Sequence, residues 1–200
     1  MYRGSSFVGS AACPRFVAWA VPWMGHGMQW IGDLMPDDTP SILPAGTPAP
    51  DFALRVTADQ VLNLSELRGA PVVLAFYPAD WSPVCGDELS VVNAALPLLH
   101  ERHAQVLAVS VDNVWSHEAF AQAHGLHFPL LSDFEPKGEV SRRYGAYDEV
   151  TGESRRALFV IDAAGTIAWS YLSPVALNPG VDGVLDALGA LPPAPNTTAQ

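Results

Sequence analysis

Residues 71–85 read PVVLAFYPADWSPVC. The opening PVVLAFY is an unbroken apolar run closed by Pro78, the pattern of a strand buried on both faces of a sheet. The stretch PADWSPVC (78–85) then places a cysteine three residues after Ser82, where the strand ends and a long helical pattern begins. Thiol chemistry often takes the form C-x-x-C, yet Ser82 stands where the first cysteine of that motif would fall. Cys85 is either a small buried hydrophobe or a lone reactive thiol with a hydroxyl beside it.

Downstream of the strand, CGDELSVVNAALPLLHER (85–102) predicts a helix. Leu89, Val92, Leu96 and Leu99 share one face, Asp87 and Glu88 suit its positive N-terminal end, and Pro97 should kink it near Asn93. AQVLAVSV (104–111) predicts a second buried strand, and SHEAFAQAHG (116–125) a helix capped by Ser116 and stopped by Gly125. FPLLSD (128–133) predicts a short strand and EVSRRYG (139–145) a short helix. RRALFVID (155–162) and TIAWSYL (166–172) form a hairpin across AAG, and VDGVLDALGAL (181–191) a last amphipathic helix. Upstream, DFALRV (51–56) and QVLNL (60–64) predict a strand pair, and SELRG (65–69) one helical turn capped by Ser65. Strands alternating with helices define an α/β protein with a central mixed β-sheet flanked by helices.

The chain has 200 residues, 49% of them hydrophobic, enough for one domain with a real core. Its net charge is −11, with Lys137 the single lysine, and no basic run or basic helical face occurs. That excludes nucleic acid and an anionic membrane as expected partners. The two cysteines, Cys13 and Cys85, make no disulfide framework, so a cytoplasmic location is expected. Residues 1–45 are rich in Trp, Gly and Pro and lack a sustained period; Gly9, Pro14 and Pro22 interrupt any signal-like run. SAAC (10–13) faintly resembles a lipoprotein box without its leucine, and Met24, Met28 and Met35 are alternative starts. The expected organisation is a weakly ordered extension (1–45), a domain (46–191) and a disordered tail (192–200).

At a helix start, backbone amides without internal partners carry a partial positive charge, which favours a thiolate over a thiol. Pro78 and Pro83 stiffen the loop, and a rigid loop can aim backbone N–H groups at a ligand. His100, His103, His124 and His127 lack the converging third ligand a zinc site needs and are expected at the surface. Trp81 and Trp115 are expected to pack the loop or a dimer face, or equally to serve as plain core residues, and Arg142 and Arg143 to be solvated.

Pro78-x-x-x-Ser82-x-x-Cys85, after an apolar strand and before Glu88, resembles the peroxiredoxin signature P-x-x-x-(T/S)-x-x-C. APDFAL (49–54), SELRGAPVVLAFYP (65–78), FPLLSDFEPKGEVSRRYGAYDE (128–149) and RRALFVIDAAG (155–165) resemble further segments of that family in the same order. The one-cysteine subgroup called alkyl hydroperoxide reductase E is the most similar. The resemblance covers residues 45–190 and implies a thioredoxin fold of peroxiredoxin type. It implies a peroxidase with no cofactor and no metal, acting on hydrogen peroxide or organic hydroperoxides, and a homodimer as its assembly. Cys85 would be the peroxidatic cysteine and Ser82 the hydroxyl that binds peroxide and thiolate. Pro78 would shield the sulfur. Arg156 would stabilise the thiolate and polarise the O–O bond, with Glu88 orienting the site, and the N–H groups of Val84 and Cys85 would receive the peroxide. Arg155 competes with Arg156, because neighbours along a strand face opposite sides and one alone can point inward.

No cysteine follows Cys85, and Ser90 holds the place where one subgroup carries a resolving cysteine. An external thiol or redoxin is therefore the expected reductant. Two alternatives stay open: a non-catalytic redox sensor or relay using the same thiolate, and a disulfide reductase, against which the missing C-x-x-C counts.

Overall fold

The computed structural model describes residues 41–174 and 177–192. The expected extension therefore lies outside the described residues up to position 40, as does the tail from 193. Within the remaining overlap, Ile42 and Leu43 pack against a core cluster and Leu43 N–H donates to Tyr144 C=O at 3.1 Å. Gly145, at φ +70°, permits this approach, since a Cβ there would meet Ser41 C=O at 2.6 Å. The domain thus begins no later than Ser41, ahead of the boundary at 46 read from the loss of periodicity.

The central sheet orders its strands β2-β1-β5-β4-β3-β8-β9. β1 (Ala53–Arg55) and β2 (Val61–Asn63) are antiparallel at one edge. β3 (Val72–Phe76), β4 (Gln105–Ser110) and β5 (Leu130–Ser132) run parallel in the middle. β8 (Ala157–Ile161) and β9 (Ile167–Leu172) close the other edge, antiparallel to β3 and to each other. The parallel connections carry helices because a crossover needs a dozen or more residues. These are α1 (Pro83–Ala94) and α2 (Leu96–Glu101) after β3, and α3 (Val114–His124) after β4. α4 (Glu139–Arg143) precedes the small hairpin β6 (Tyr147–Asp148) and β7 (Glu153–Ser154), which the sequence reading did not contain. α5 (Asp182–Gly189) follows β9.

Every residue of β3 is buried, as its unbroken apolar run predicts. Alternation sends Val73, Ala75 and Tyr77 to the cluster holding Cys85, Leu89, Leu99 and Phe120. Val72, Leu74 and Phe76 enter the opposite cluster with Phe52, Tyr144 and Phe159. Burying each such large side chain stabilises the fold by roughly 1.5–3 kcal/mol.

Four local expectations change. The long helix 85–102 starts earlier, at Pro83, and breaks at Ala95 into α1 and α2, because Pro97 has no N–H for an interior helical bond. α3 starts at Val114, not Ser116. Its cap is Asn113, whose side chain accepts from Trp115 N–H at 3.1 Å and Ser116 N–H at 3.0 Å. The turn over 65–69 is a 3-10 helix, Leu64–Leu67, whose N-cap position is Asn63 instead of Ser65. Ser65 N–H instead donates to the Asp51 carboxylate at 2.9 Å. Because α1 starts at Pro83, no acidic residue lies in its first turn: Asp87 is exposed beyond it, and Glu88 is buried and paired with Arg156.

Candidate active site

The β3–α1 loop carries most of the site. Ser82 is the N-cap of α1, in extended backbone, and Pro83 follows at N1, where a missing N–H costs nothing. The first helical bond runs from Gly86 N–H to Ser82 C=O at 3.0 Å. The helix therefore offers no acceptor to the N–H groups of Val84 and Cys85. The Ser82 hydroxyl makes no capping bond. Cys85 is fully buried, with its thiol unpaired to any other sulfur.

The partner of that thiol comes from the far side of β3. Register pairs Phe76 with Ala157, so the residue before β8 emerges beside the residue after β3. That residue is Arg156, 3% exposed, whose Nη2 donates to Cys85 Sγ at 3.6 Å. Its Nη1 donates to the Glu88 carboxylate, one turn beyond Cys85 on α1. Both members of this ion pair are buried, so each offsets the cost of desolvating the other. Glu88 Oε1 and Arg156 Nε have no protein partner.

A cavity of about 680 Å³ opens beside this group. Pro78, Ser82, Val84 and Arg156 line it together with Leu172 and Pro174, and its wall is largely apolar. Arg156 joins the two spaces, because it touches the buried sulfur and also lines the cavity. Arg155 lines the cavity as well. Arg156 thus makes the sulfur contact, as alternation requires, while both arginines face the cavity. Both arginines precede β8, where the strict two-residue period has not begun.

A second buried group lies on the other side of the loop. Asp80 accepts from Tyr77 O–H at 2.7 Å and pairs with His117 Nδ1 at 3.0 Å. Its N–H donates to the Asp112 carboxylate at 2.8 Å, which also accepts from Ser110 O–H at 2.7 Å. Burial pushes the Asp80 carboxyl up, but the hydrogen bond and charge of His117, with Ser116 and Tyr77, hold it below its ordinary value. Burial and the Asp80 charge push the Tyr77 phenol well up. Sequence reasoning passed over Tyr77, Asp80 and His117. The available signal was spacing: His117 and Phe120, i and i+3 on α3, share its buried face.

Trp81 packs edge-on against Phe120 at 5.4 Å, which supports its expected role in packing the loop. Trp115 is 67% exposed. His100, His103, His124 and His127 are exposed, and among the described residues no three His, Cys, Asp or Glu side chains gather closely enough to hold a metal ion. Arg142 and Arg143 are exposed but engaged, Arg142 with Glu149 and the Tyr147 ring, Arg143 with Asp51 C=O.

A thiol at a helix start, an arginine fork on its sulfur and a neighbouring hydroxyl on a mixed α/β sheet define the thiol peroxidase class. Residues 45–170 match the model of the AhpC/TSA family. The chain is 38% identical over 132 residues to alkyl hydroperoxide reductase E of Mycobacterium tuberculosis, covering 66% of this chain and 86% of that protein. It is 35% identical to peroxiredoxin tpx1 of Schizosaccharomyces pombe, covering 74% and 81%. Among solved structures, Mycobacterium tuberculosis peroxidoxin BcpB superposes with TM-score 0.69 at 28% identity, over 75% of this chain and 99% of that one. The reduced 2-Cys peroxiredoxin of Plasmodium vivax gives TM-score 0.67 at 30% identity, over 74% and 81%. The chain belongs to the AhpC/TSA family of peroxiredoxins and is a thiol-dependent peroxidase with a thioredoxin-like fold.

Proposed function

We propose that Cys85 is the peroxidatic cysteine of a one-cysteine cycle. The observation that carries this reading is the 3.6 Å contact between Arg156 Nη2 and Cys85 Sγ, held by the buried Arg156–Glu88 pair. The Cys85 thiolate attacks the terminal oxygen of the hydroperoxide along the O–O axis. The S–O bond forms as O–O breaks, leaving a sulfenic acid and an alkoxide or hydroxide that takes up a proton. Arg156, the Ser82 hydroxyl and the Val84 and Cys85 amides stabilise the oxygens as they gain charge. Pro78, on the same wall, keeps water from the sulfur. One external thiol then displaces water from the sulfenic acid to give a mixed disulfide; a second restores Cys85 and leaves as the small disulfide. Support for an external reductant is the sequence itself, in which no cysteine follows Cys85 and position 90 is serine.

The apolar cavity wall supports organic hydroperoxides as substrates beside hydrogen peroxide. The exposed Trp81 and Trp115 support a homodimer that covers them. A cytoplasmic location suits a cycle fed by a reducing thiol pool. Rapid-mixing peroxide consumption by Cys85→Ser tests the core of the reading: a rate equal to wild type would sink it. Turnover with a small thiol, against trapping of one specific protein as a mixed disulfide, separates the enzyme from a relay. Sedimentation velocity tests the dimer, and cell fractionation the location.

A further inference from the structure

The β3–α1 loop contains a conformation that the chemistry above does not use. Trp81 sits at φ +62°, in the left-handed region, one residue from the peroxide-facing Ser82. A bulky residue is strained there and persists only where its surroundings over-determine it. On its C-terminal side the loop is fixed by the first turn of α1. On its N-terminal side the only buried side chain between Tyr77 and Trp81 is Asp80, and it is held from three directions. Tyr77 at the end of β3 donates to it, His117 on α3 pairs with it, and Asp112 after β4 accepts from its backbone N–H.

His117 is 2% exposed and spends Nδ1 on Asp80, while its Nε2 has no hydrogen-bond partner. An orphaned buried polar atom is destabilising, so an apolar residue of similar size would satisfy packing alone at lower cost. Both the strain at Trp81 and the orphan at His117 converge on one outcome, a fixed position for residues 78–82.

We propose that Tyr77, Asp80 and His117 are positioning residues that clamp the peroxide-binding loop, setting Pro78 and Ser82 over Cys85 without touching substrate themselves. The inference rests on the peroxidase reading of Cys85. Release of Asp80 lets Trp81 relax to negative φ, which rotates the chain entering Ser82. The hydroxyl and the cavity wall then lose their register with the sulfur, while the Arg156–Glu88 contacts remain, because they come from β8 and α1.

The test compares two reactions of the same thiol. Peroxide reduction needs the aligned loop; alkylation of Cys85 by iodoacetamide, read by peptide mass spectrometry, needs the thiolate but not that alignment. His117→Leu should slow peroxide reduction by about 10- to 100-fold, as for a reacting group misplaced by up to 1 Å. Its alkylation rate should hold level or rise, since the helix start and Arg156 are untouched and a displaced Pro78 only opens the buried sulfur. His117→Asn, whose side-chain N–H can stand near the Nδ1 position, should recover most of the rate. Tyr77→Phe, a milder change at the same carboxylate, should slow peroxide reduction by about two- to tenfold, the worth of one hydrogen bond. A folded His117→Leu or Tyr77→Phe variant in which both rates fall together, or neither falls, overturns the clamp. Absence of rescue by His117→Asn does so too. If wild type itself consumes no peroxide, the peroxidase reading fails, a result distinct from these.

Discussion

Two buried acid–base pairs flank the loop that holds Cys85, and they are built differently. Arg156–Glu88 joins a strand end to a helix, with the guanidinium also on the sulfur. His117–Asp80 joins a helix to the loop itself and reaches no reacting atom through any hydrogen bond among the described residues. The first supplies charge where charge develops, and the second supplies position. Loss of the first should therefore act on chemistry and folding together, whereas loss of the second should act on alignment.

The sharpest way to break that contrast is Cys85→Ser, which leaves both pairs in place and should abolish peroxide consumption and sulfenic-acid labelling alike. Next in size, Arg156→Ala should lower the peroxide rate constant by about 10²- to 10³-fold, the usual cost of one oxyanion-stabilising donor. It also strands the Glu88 carboxylate, so chemical denaturation should show a loss of about 3–5 kcal/mol. An Arg156→Ala protein as stable as wild type would mean that Glu88 finds another partner.

A smaller effect separates the pairs by pH. The folded-state value of Asp80 is depressed, so its stabilisation is present above its ordinary value of 3.8 and is lost as pH falls through the lower folded value. Asp80→Asn should therefore be less stable than wild type at pH 7, with the gap closing below about pH 4. Urea midpoints measured across that range check it, and a gap that widens in acid contradicts the depressed value.

The smallest prediction concerns Gly86, next to Cys85, where a Cβ would meet the exposed His124 ring at 2.9 Å. Alanine gains up to about 1 kcal/mol of helix propensity over glycine, offset by displacing a ring that packs on Phe120 at 4.4 Å. Gly86→Ala should shift stability by less than about 1 kcal/mol, and adding His124→Ala should reveal the full gain in thermal unfolding.

The fold was largely legible because its strongest signals are local. PVVLAFY (71–77) could hardly be anything but a strand covered on both sides, and the hairpin 155–172 carries its turn in AAG. Caps were read less well: Ser116 looked like a helix start until Asn113, three residues earlier, took both orphan amides. A cap depends on which side chain the backbone turns toward, and composition does not say. In the site, Cys85, Ser82 and Pro78 were legible from one stretch, with Arg156 and Glu88 added by resemblance to the family. Asp80 lay in full view inside that stretch yet meant nothing without its partner on α3, 37 residues away.

The sequence by itself determined a lone thiol at a strand-to-helix junction, an α/β order of elements, and a stretch from 86 to 200 without cysteine. These follow from apolar period, proline placement and residue count, which need no long-range contact. Tertiary structure decided which arginine reaches the sulfur, through the Phe76–Ala157 register. It also decided that His117, rather than any exposed histidine, sits in the buried network beside the site. Both depend on pairing between distant segments. There an offset of one residue would turn each side chain to the opposite face of the sheet.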